Sequence, residues 1–479
     1  MRFKIERSNC PGSGRRACPV SCARARAGAP GSGGPAARLR GQSARFGWLG
    51  LLFSILWAGG LAGARADWPA FRGPYGDGHA TAPGDVTLQG LPLTWSETNN
   101  VKWKTEIPYR GWSTPVVLGG QAWLTTATPD GHDFFAICVD SRTGQVLLNE
   151  KLFHCEKPEP LGNPVNTYAT PSAAIEPGRV YVHFGSYGTA CLDTSDFKVL
   201  WERQDLRCRH YRGPASSLGL FANLLILTMD GVDVQYLAAL DKTTGRTVWK
   251  TERSVAWNDE DEPGQMARDG DLRKAHSTPL IVSTSAGPQM LSVGAKAAYA
   301  YDPPTGRELW RVRYYAWSAA PLPLYADGLA FIITGFGGKT ELLAVRVDGR
   351  GDVTDTHVAW RSDSMVAKTA SPILVDGLLY MVNDEGALTC LEAANGTRAW
   401  RARIPGTYAA SPIYADGRLY FFNQQGKTTV LKPGRSFEPM ATNTLAAGFM
   451  ASPAVAQNSL FLRTKTHLYR IQEAGAEGK

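Results

Sequence analysis

Residues 410–422 read ASPIYADGRLYFF, residues 370–382 read ASPILVDGLLYMV, and residues 451–462 read ASPAVAQNSLFL. A phrase written three times at nearly constant spacing marks a repeat, and a repeat must be settled before any motif is read as chemistry. Laid along the 479-residue chain, the phrase has eight copies. They open at WSTPVV (112–117), YATPSA (168–173), PASSLG (214–219), HSTPLI (276–281), SAAPLP (318–323), TASPIL (369–374), YAASPI (408–413) and MASPAV (450–455). The third lacks its Pro.

Each copy continues in one order. An apolar strand follows the Pro, then a turn such as ADG (415–417), then a second strand such as RLYFFN. A third run ends in a small residue and an acid: AICVD (136–140), TACLD (189–193), LAALD (237–241), AYAYD (298–302), LTCLE (388–392). A turn, often D-x-x-T-G, leads to a fourth run that ends in Trp201, Trp249, Trp310, Trp360 or Trp400; Leu148 takes that place in the first copy. Four short strands in a period just under fifty residues describe a propeller blade. The Gly of D-x-x-T-G supplies the positive φ of a tight turn, and the terminal Trp is large enough to wedge between blades. Asp193, Asp241 and Asp302 recur at one blade position and read as turn caps.

The eighth copy lacks a fourth strand, while NNVKWKTEIP (99–108) is an orphan strand carrying Trp103. Closing the last blade with the N-terminal strand removes an open edge. The expected fold is therefore all-β: an eight-bladed propeller of four-stranded blades over residues 99–475, preceded by an N-terminal extension at 67–98.

The net charge of +8 belongs to the leader, since residues 1–66 carry eleven Lys and Arg against one acid. The remaining 40 basic and 42 acidic residues give no overall electrostatic reason to bind nucleic acid. Residues 1–45 are a basic, Gly- and Pro-rich stretch that builds no core and reads as disordered. Residues 46–63 (FGWLGLLFSILWAGGLAG) are apolar and precede Ala64-Arg65-Ala66, so 46–66 is read as an export signal or, if uncleaved, a membrane anchor. The chain is thus expected in the periplasm or outside the cell. Any membrane contact would run through that segment.

The blade phrase, with A-x-D-x-x-T-G-x-x-x-W at its centre, resembles the repeat of pyrroloquinoline-quinone (PQQ) type β-propellers. The opening DWPAFRGPYGDG (67–78), with VYVHFGSYGTACLD (180–193), GDVTDTHVAW (351–360) and THLYRI (466–471), is similar to exported PQQ-like repeat proteins of planctomycete-type bacteria. That superfamily holds both quinoprotein alcohol dehydrogenases and non-catalytic BamB-like outer-membrane assembly proteins. The resemblance implies the fold and leaves two functions. The leading expectation is a non-enzymatic platform that binds another envelope protein or a small ligand, with no resident cofactor. The alternative is a PQQ- and Ca²⁺-dependent alcohol or sugar dehydrogenase.

The dehydrogenases cap their quinone with a disulfide between adjacent cysteines, and no Cys-Cys pair occurs here. No catalytic residue is assigned. Among the acids, WNDEDEPG (257–264) offers Asp259 and Asp261 as Ca²⁺ ligands, against the preferred reading of a solvated loop. Cys138, Cys191 and Cys390 occupy the small third-strand position and read as buried apolar residues. Cys155 and Cys208 each lie seven residues past the terminal position of adjacent blades, which makes them the candidate disulfide in an oxidising compartment.

Residues just before the phrase gather at one mouth of a propeller's central channel. They include Arg110, Trp112, Tyr168, His210, Tyr211, Arg212, His276, Tyr315, Trp317, Lys368, Tyr408 and Phe449. A ring of aromatic and basic side chains there serves either as a ligand or partner contact or as packing that plugs the mouth. Trp103, Trp201, Trp249, Trp310, Trp360 and Trp400 are expected to dock blades. GFGGKT (335–340) lacks phosphate-loop spacing and reads as a hairpin turn. In the 410–422 copy, Tyr408 is the expected functional residue rather than Ser411 or Pro412.

Overall fold

Runs of β-branched and aromatic residues bounded by Gly and Asp form strands because such side chains fit a pleated, half-buried surface. In the computed structural model, which describes residues 67–162, 164–256 and 271–475, these runs pair into eight antiparallel meanders of four strands arranged in a ring. The leader, the apolar segment at 46–66, Asp259 and Asp261 lie outside the described residues. Blades are numbered here by their inner strands: Val116–Leu118, Ala174–Glu176, Gly219–Phe221, Leu280–Thr284, Leu324–Ala326, Ile373–Val375, Ile413–Ala415 and Ala454–Ala456.

Second and third strands are sandwiched between neighbouring blades. Leu378–Val382 in blade 6 and Ser459–Arg463 in blade 8 are buried along their whole length. Outer strands such as Thr247–Glu252 alternate half-buried and exposed residues, as one wetted face requires.

The ring closes as expected. Val101–Glu106 is the outer strand of blade 8, paired with His467–Ile471 through Val101↔Ile471 and Glu106↔His467. Flanking bonds from Ile107 N to Thr466 O (2.9 Å) and from Gln472 N to Asn100 O (2.9 Å) extend the pairing.

The small third-strand residue has a cross-strand reason. Cys191 faces Trp201, Ala239 faces Trp249, Ala300 faces Trp310, Ala344 faces Trp360 and Cys390 faces Trp400. A bulge follows each of these pairs and re-aims the indole. The indole N–H then donates to the next blade: Trp103 to Ser141 O (3.1 Å), Trp201 to Lys242 O (3.0 Å), Trp249 to Pro303 O (3.1 Å), Trp360 to Ala393 O (3.0 Å) and Trp400 to Gly434 O (2.9 Å). The turn Gly of that next blade lies under the ring. A Cβ at Gly144, Gly245, Gly306 or Gly396 would sit 2.5–2.7 Å from the indole of Trp103, Trp201, Trp249 or Trp360.

Trp310 departs from this scheme. It is fully buried between blades 4 and 5, but its N–H donates to Gln289 Oε1 of its own blade (2.9 Å). Blade 5 replaces the D-x-x-T-G turn with a longer connection, whose Gly351–Asp352 pairs parallel to Trp310 and Arg311.

The Asp turn caps are present. Asp193 Oδ1 accepts from Ser195 N (2.7 Å), and Asp241 Oδ1 accepts from Thr244 N (2.8 Å). Hydrogen bonds from the hydroxyls and backbone N–H groups of those turns hold both carboxyls below the usual carboxylate range.

Candidate functional site

The N-terminal extension decides the shape of the channel. Residues 67–80 cross its end on the side of the first-to-second strand turns. Trp68 exchanges backbone bonds with Val117 of blade 1 (2.9 and 2.8 Å), and Pro69 O accepts from Ile175 N of blade 2 (2.8 Å). Gly78 O and Ala80 N bond Tyr414 of blade 7 (2.9 and 3.0 Å). Between these anchors Arg72 is buried, and its guanidinium donates to Asp77 O (2.6 Å), Pro372 O (3.1 Å) and Pro412 O. Two glycines make the fit possible at positive φ. A Cβ at Gly73 would strike the Trp68 ring at 2.9 Å, and one at Gly78 would strike the Arg72 guanidinium at 2.4 Å.

Above this stopper lies a cavity of about 920 Å³, with Phe71 on its wall. It is lined from the fourth-to-first and second-to-third strand connections, so the channel is a cup with one mouth.

The repeated phrase has a role at this level. Its hydroxyls link the blades in series around the axis. Thr114 N donates to Ser172 Oγ (2.9 Å), Ser172 N to Ser217 Oγ (3.0 Å) and Ser217 N to Thr278 Oγ1 (2.8 Å). Leu322 N donates to Ser371 Oγ (3.0 Å), Ser371 N to Ser411 Oγ (2.9 Å) and Ser411 N to Ser452 Oγ (2.9 Å). All six acceptor side chains lie on the cavity wall and are buried. The series forms two arcs: it breaks at blade 5, where SAAPLP places Ala320, and between blades 8 and 1, where Thr114 Oγ1 is buried without a partner among the described residues.

Of the residues expected at the mouth, Trp112, His276, Trp317, Lys368 and Tyr408 line the cup, joined by Arg212 and Tyr315. Trp112 is held by its N–H to Val165 O (2.9 Å), with the Arg110 guanidinium 5.2 Å from its ring centre. Lys368 Nζ lies 4.9 Å from the Phe336 ring centre. Trp317 stacks on the 335–340 loop. A Cβ on Gly337 would sit 2.2 Å from its indole, so GFGGKT is a glycine-rich wall rather than a phosphate cradle. His276 Nδ1 is buried without a partner, and burial with the nearby Lys274 and Arg212 charges holds the ring neutral.

The other expected residues support the wall from outside it. Tyr168 packs against Phe134 and Tyr187 and donates to Glu159 O (2.7 Å). His210 is buried, with Nε2 accepting from Ser186 N (2.9 Å). Tyr211 N donates to Glu159 Oε2 (2.8 Å), and Phe449 packs on Phe422. Tyr408 itself is only 1% exposed, its hydroxyl donating to Pro405 O (3.1 Å). In this copy both Tyr408 and Ser411 are therefore buried on the cavity wall, Tyr408 packed into the core and Ser411 a member of the hydroxyl ring.

The expected Cys155–Cys208 disulfide is corrected, since both are free thiols. The matching offsets mislead because the fourth strands differ in length. Blade 1's runs Val146–His154 and leaves Cys155 at its tip, against the core shared with blade 2. Blade 2's ends at Arg203, and the chain then tucks Cys208 into the next core, 3.6 Å from Ser186 Oγ. Cys138, Cys191 and Cys390 are buried as read, and burial pushes the Cys191 thiol up to about 12.

A quinone with Ca²⁺ finds a poor donor set here. The carboxylates on the wall are Asp384 and Glu385, neighbours on one loop. Asp384 is occupied by Lys368 N, Thr369 N and Thr369 Oγ1 (3.3, 3.2 and 3.1 Å), and burial raises its pKa. Ca²⁺ takes six to eight oxygens. Among the described residues no group of three or more His, Cys, Asp or Glu is placed to hold a metal.

A model of the family described as outer membrane protein assembly factor BamB matches residues 233–477. No curated protein matches the chain. Among solved structures, BamB from Moraxella catarrhalis superposes with a TM-score of 0.53 at 11% identity, over 77% of this chain and 99% of that one. The quinohemoprotein alcohol dehydrogenase of Comamonas testosteroni gives 0.56 at 12% identity, over 86% and 82%. A europium-containing methanol dehydrogenase gives 0.56 at 11%, over 84% and 88%. Identities this low show a shared fold, which hosts both kinds of protein.

Proposed function

We propose that this chain, which belongs to the repeat-propeller family described as outer membrane protein assembly factor BamB, is a non-enzymatic binding platform of the cell envelope. In this reading the open mouth of the cup receives a segment of another envelope protein or a ligand. One observation carries it: the channel is stoppered by residues 67–80 and opens at the other end into about 920 Å³ rimmed by exposed Val165, Tyr315 and Phe336. Exposed apolar side chains around a concavity mark interaction surfaces. The dehydrogenase alternative needs a calcium cage that Asp384 and Glu385 do not supply.

Site-specific photo-crosslinking in cells tests the platform. A crosslinker at Tyr315 or Phe336 should give a discrete adduct with an envelope protein. One at Val199, exposed on the outer strand of blade 2, should not. Adducts confined to the outer-strand position would overturn the assignment of the mouth.

A further inference from the structure

We propose that the base of the cup is an oxyanion subsite, which receives the carboxylate, phosphate or sulfate end of a ligand whose apolar body rests on the aromatic wall. This deepens, and rests on, the reading of the cup as the binding surface.

The hydroxyl ring supplies the donors. Ser172, Ser217, Thr278, Ser371, Ser411 and Ser452 each accept a backbone N–H. Each hydroxyl still owns one proton to donate. Among the described residues no protein acceptor takes any of those protons, although every one of the six side chains is at least nine-tenths buried on the cavity wall. Hydroxyls on the wall of a cavity donate to whatever occupies it, and the oxygens of a bound anion can be those acceptors.

Buried charge points the same way independently. The Arg72 guanidinium donates to the carbonyls of Pro372 and Pro412, the residues that follow ring members Ser371 and Ser411. Arg463 is 3% exposed and donates to Ser113 O (3.1 Å) and Ser113 Oγ (2.5 Å), beside Thr114 where the ring series starts. Among the described residues neither guanidinium has a carboxylate at ion-pair distance, and burial lowers both, Arg72 to about 10 and Arg463 to about 9. The Asp77 carboxylate acts on Arg72 at longer range, whereas burial is the one influence on Arg463, so positive potential remains beside the ring, which an anion would offset.

Blade 5 fixes the orientation. Ala320 breaks the ring on the side where Tyr315, Trp317 and Phe336 stand. The anionic end therefore lies against the hydroxyls of blades 2–4 and 6–8, and the apolar body leans on the blade 5 side.

The test uses the chain expressed with its own leader, purified and titrated by calorimetry. The probes are 3-phenylpropionate, its neutral amide, and the tripeptide Gly-Gly-Phe with a free or an amidated C-terminus. Charged hydrogen bonds predict that an acid binds about tenfold or more tightly than its amide. A preference confined to the tripeptide pair assigns a peptide C-terminus, and one confined to the phenylpropionate pair assigns a free acid. The Ser371→Ala/Ser411→Ala variant should lose the acid preference and keep the amide affinity. Ser411→Cys, which keeps the shape, is the measure if the double variant does not fold. Equal affinity for acid and amide, or no saturable binding of any probe up to about 10 mM, overturns the subsite. If rim crosslinking persists while all probes fail, only the subsite falls; if both fail, the platform falls too.

Discussion

Gly396→Ala should destabilise the propeller more than Gly377→Ala, though both glycines belong to blade 6 and share nearly the same backbone. Their φ angles are +73° and +72°. An L side chain in that region costs about 1–2 kcal/mol, partly offset by about 0.4–1 kcal/mol from reduced unfolded-state entropy. For Gly377 this is the whole effect, because a new Cβ meets nothing within 4 Å. At Gly396 the Cβ would lie 2.6 Å from Trp360 Cε3 and 2.9 Å from Cδ2, while the indole is pinned by its bond to Ala393 O. Overpacking of this kind adds about 1–3 kcal/mol. Gly377→Ala should therefore cost about 1 kcal/mol and Gly396→Ala about 2–4 kcal/mol. Urea unfolding followed by circular dichroism measures both. Removing the indole supplies the control: in Trp360→Leu, Gly396→Ala should cost no more than Gly377→Ala, a coupling of about 1–3 kcal/mol. Equal losses for the two glycines, or strict additivity with Trp360→Leu, would refute the indole-on-glycine interlock as the blade-docking unit.

Deleting residues 99–108 removes the outer strand of blade 8, so the entire ring should melt at lower temperature in one transition; unchanged calorimetric melting would refute the shared blade. Stability should fall as pH drops below about 6.5, because unfolded histidine takes up protons there. His183 and His210 stay neutral in the fold, His183 with its pKa lowered to about 3 by burial and His210 well below the usual value for the same first cause. Each contributes stability that is present above the unfolded pKa and is lost at about 1.4 kcal/mol per pH unit below it, until the folded pKa is reached. A His183→Asn variant with an undiminished slope between pH 6 and 5 would show the loss to lie elsewhere. Added PQQ and Ca²⁺ should leave the melting temperature unchanged and give no bound quinone absorbance; a saturable rise in melting temperature would overturn the argument from Asp384 and Glu385.

Much of the architecture was legible because it is written eight times. The spacing of the A-S-P phrase, the small residue opposite each Trp, and the D-x-x-T-G turn follow from constraints every blade meets separately. The orphan strand around Trp103 could be placed because an incomplete eighth blade left one position to fill. Trp310 escaped that logic, since its hydrogen bond depends on an irregular connection in blade 5. The Cys155–Cys208 pairing failed for a related reason: equal offsets from a strand's end carry no three-dimensional meaning when the strands differ in length.

The site was legible only in part. Trp112, Trp317 and Lys368 could be found because they precede the phrase, where blade connections meet the axis. Tyr168, His210 and Phe449 precede it too, yet their connections fold back and bury them. Nothing in the order of residues says that Arg72 lies under Pro372 and Pro412, some 300 residues later.

The sequence by itself determined the repeat, the four-stranded blade and the closure of the ring, because local pattern and turn chemistry are repeated until one arrangement satisfies them all. Only the tertiary structure decided that the channel is a cup, that its base is a ring of hydroxyls, and that buried guanidinium groups surround it. Those features arise where residues 67–80 meet strands from blades 1, 2 and 7 at a common axis. Convergence of that kind depends on distances through space, which spacing along the chain does not encode.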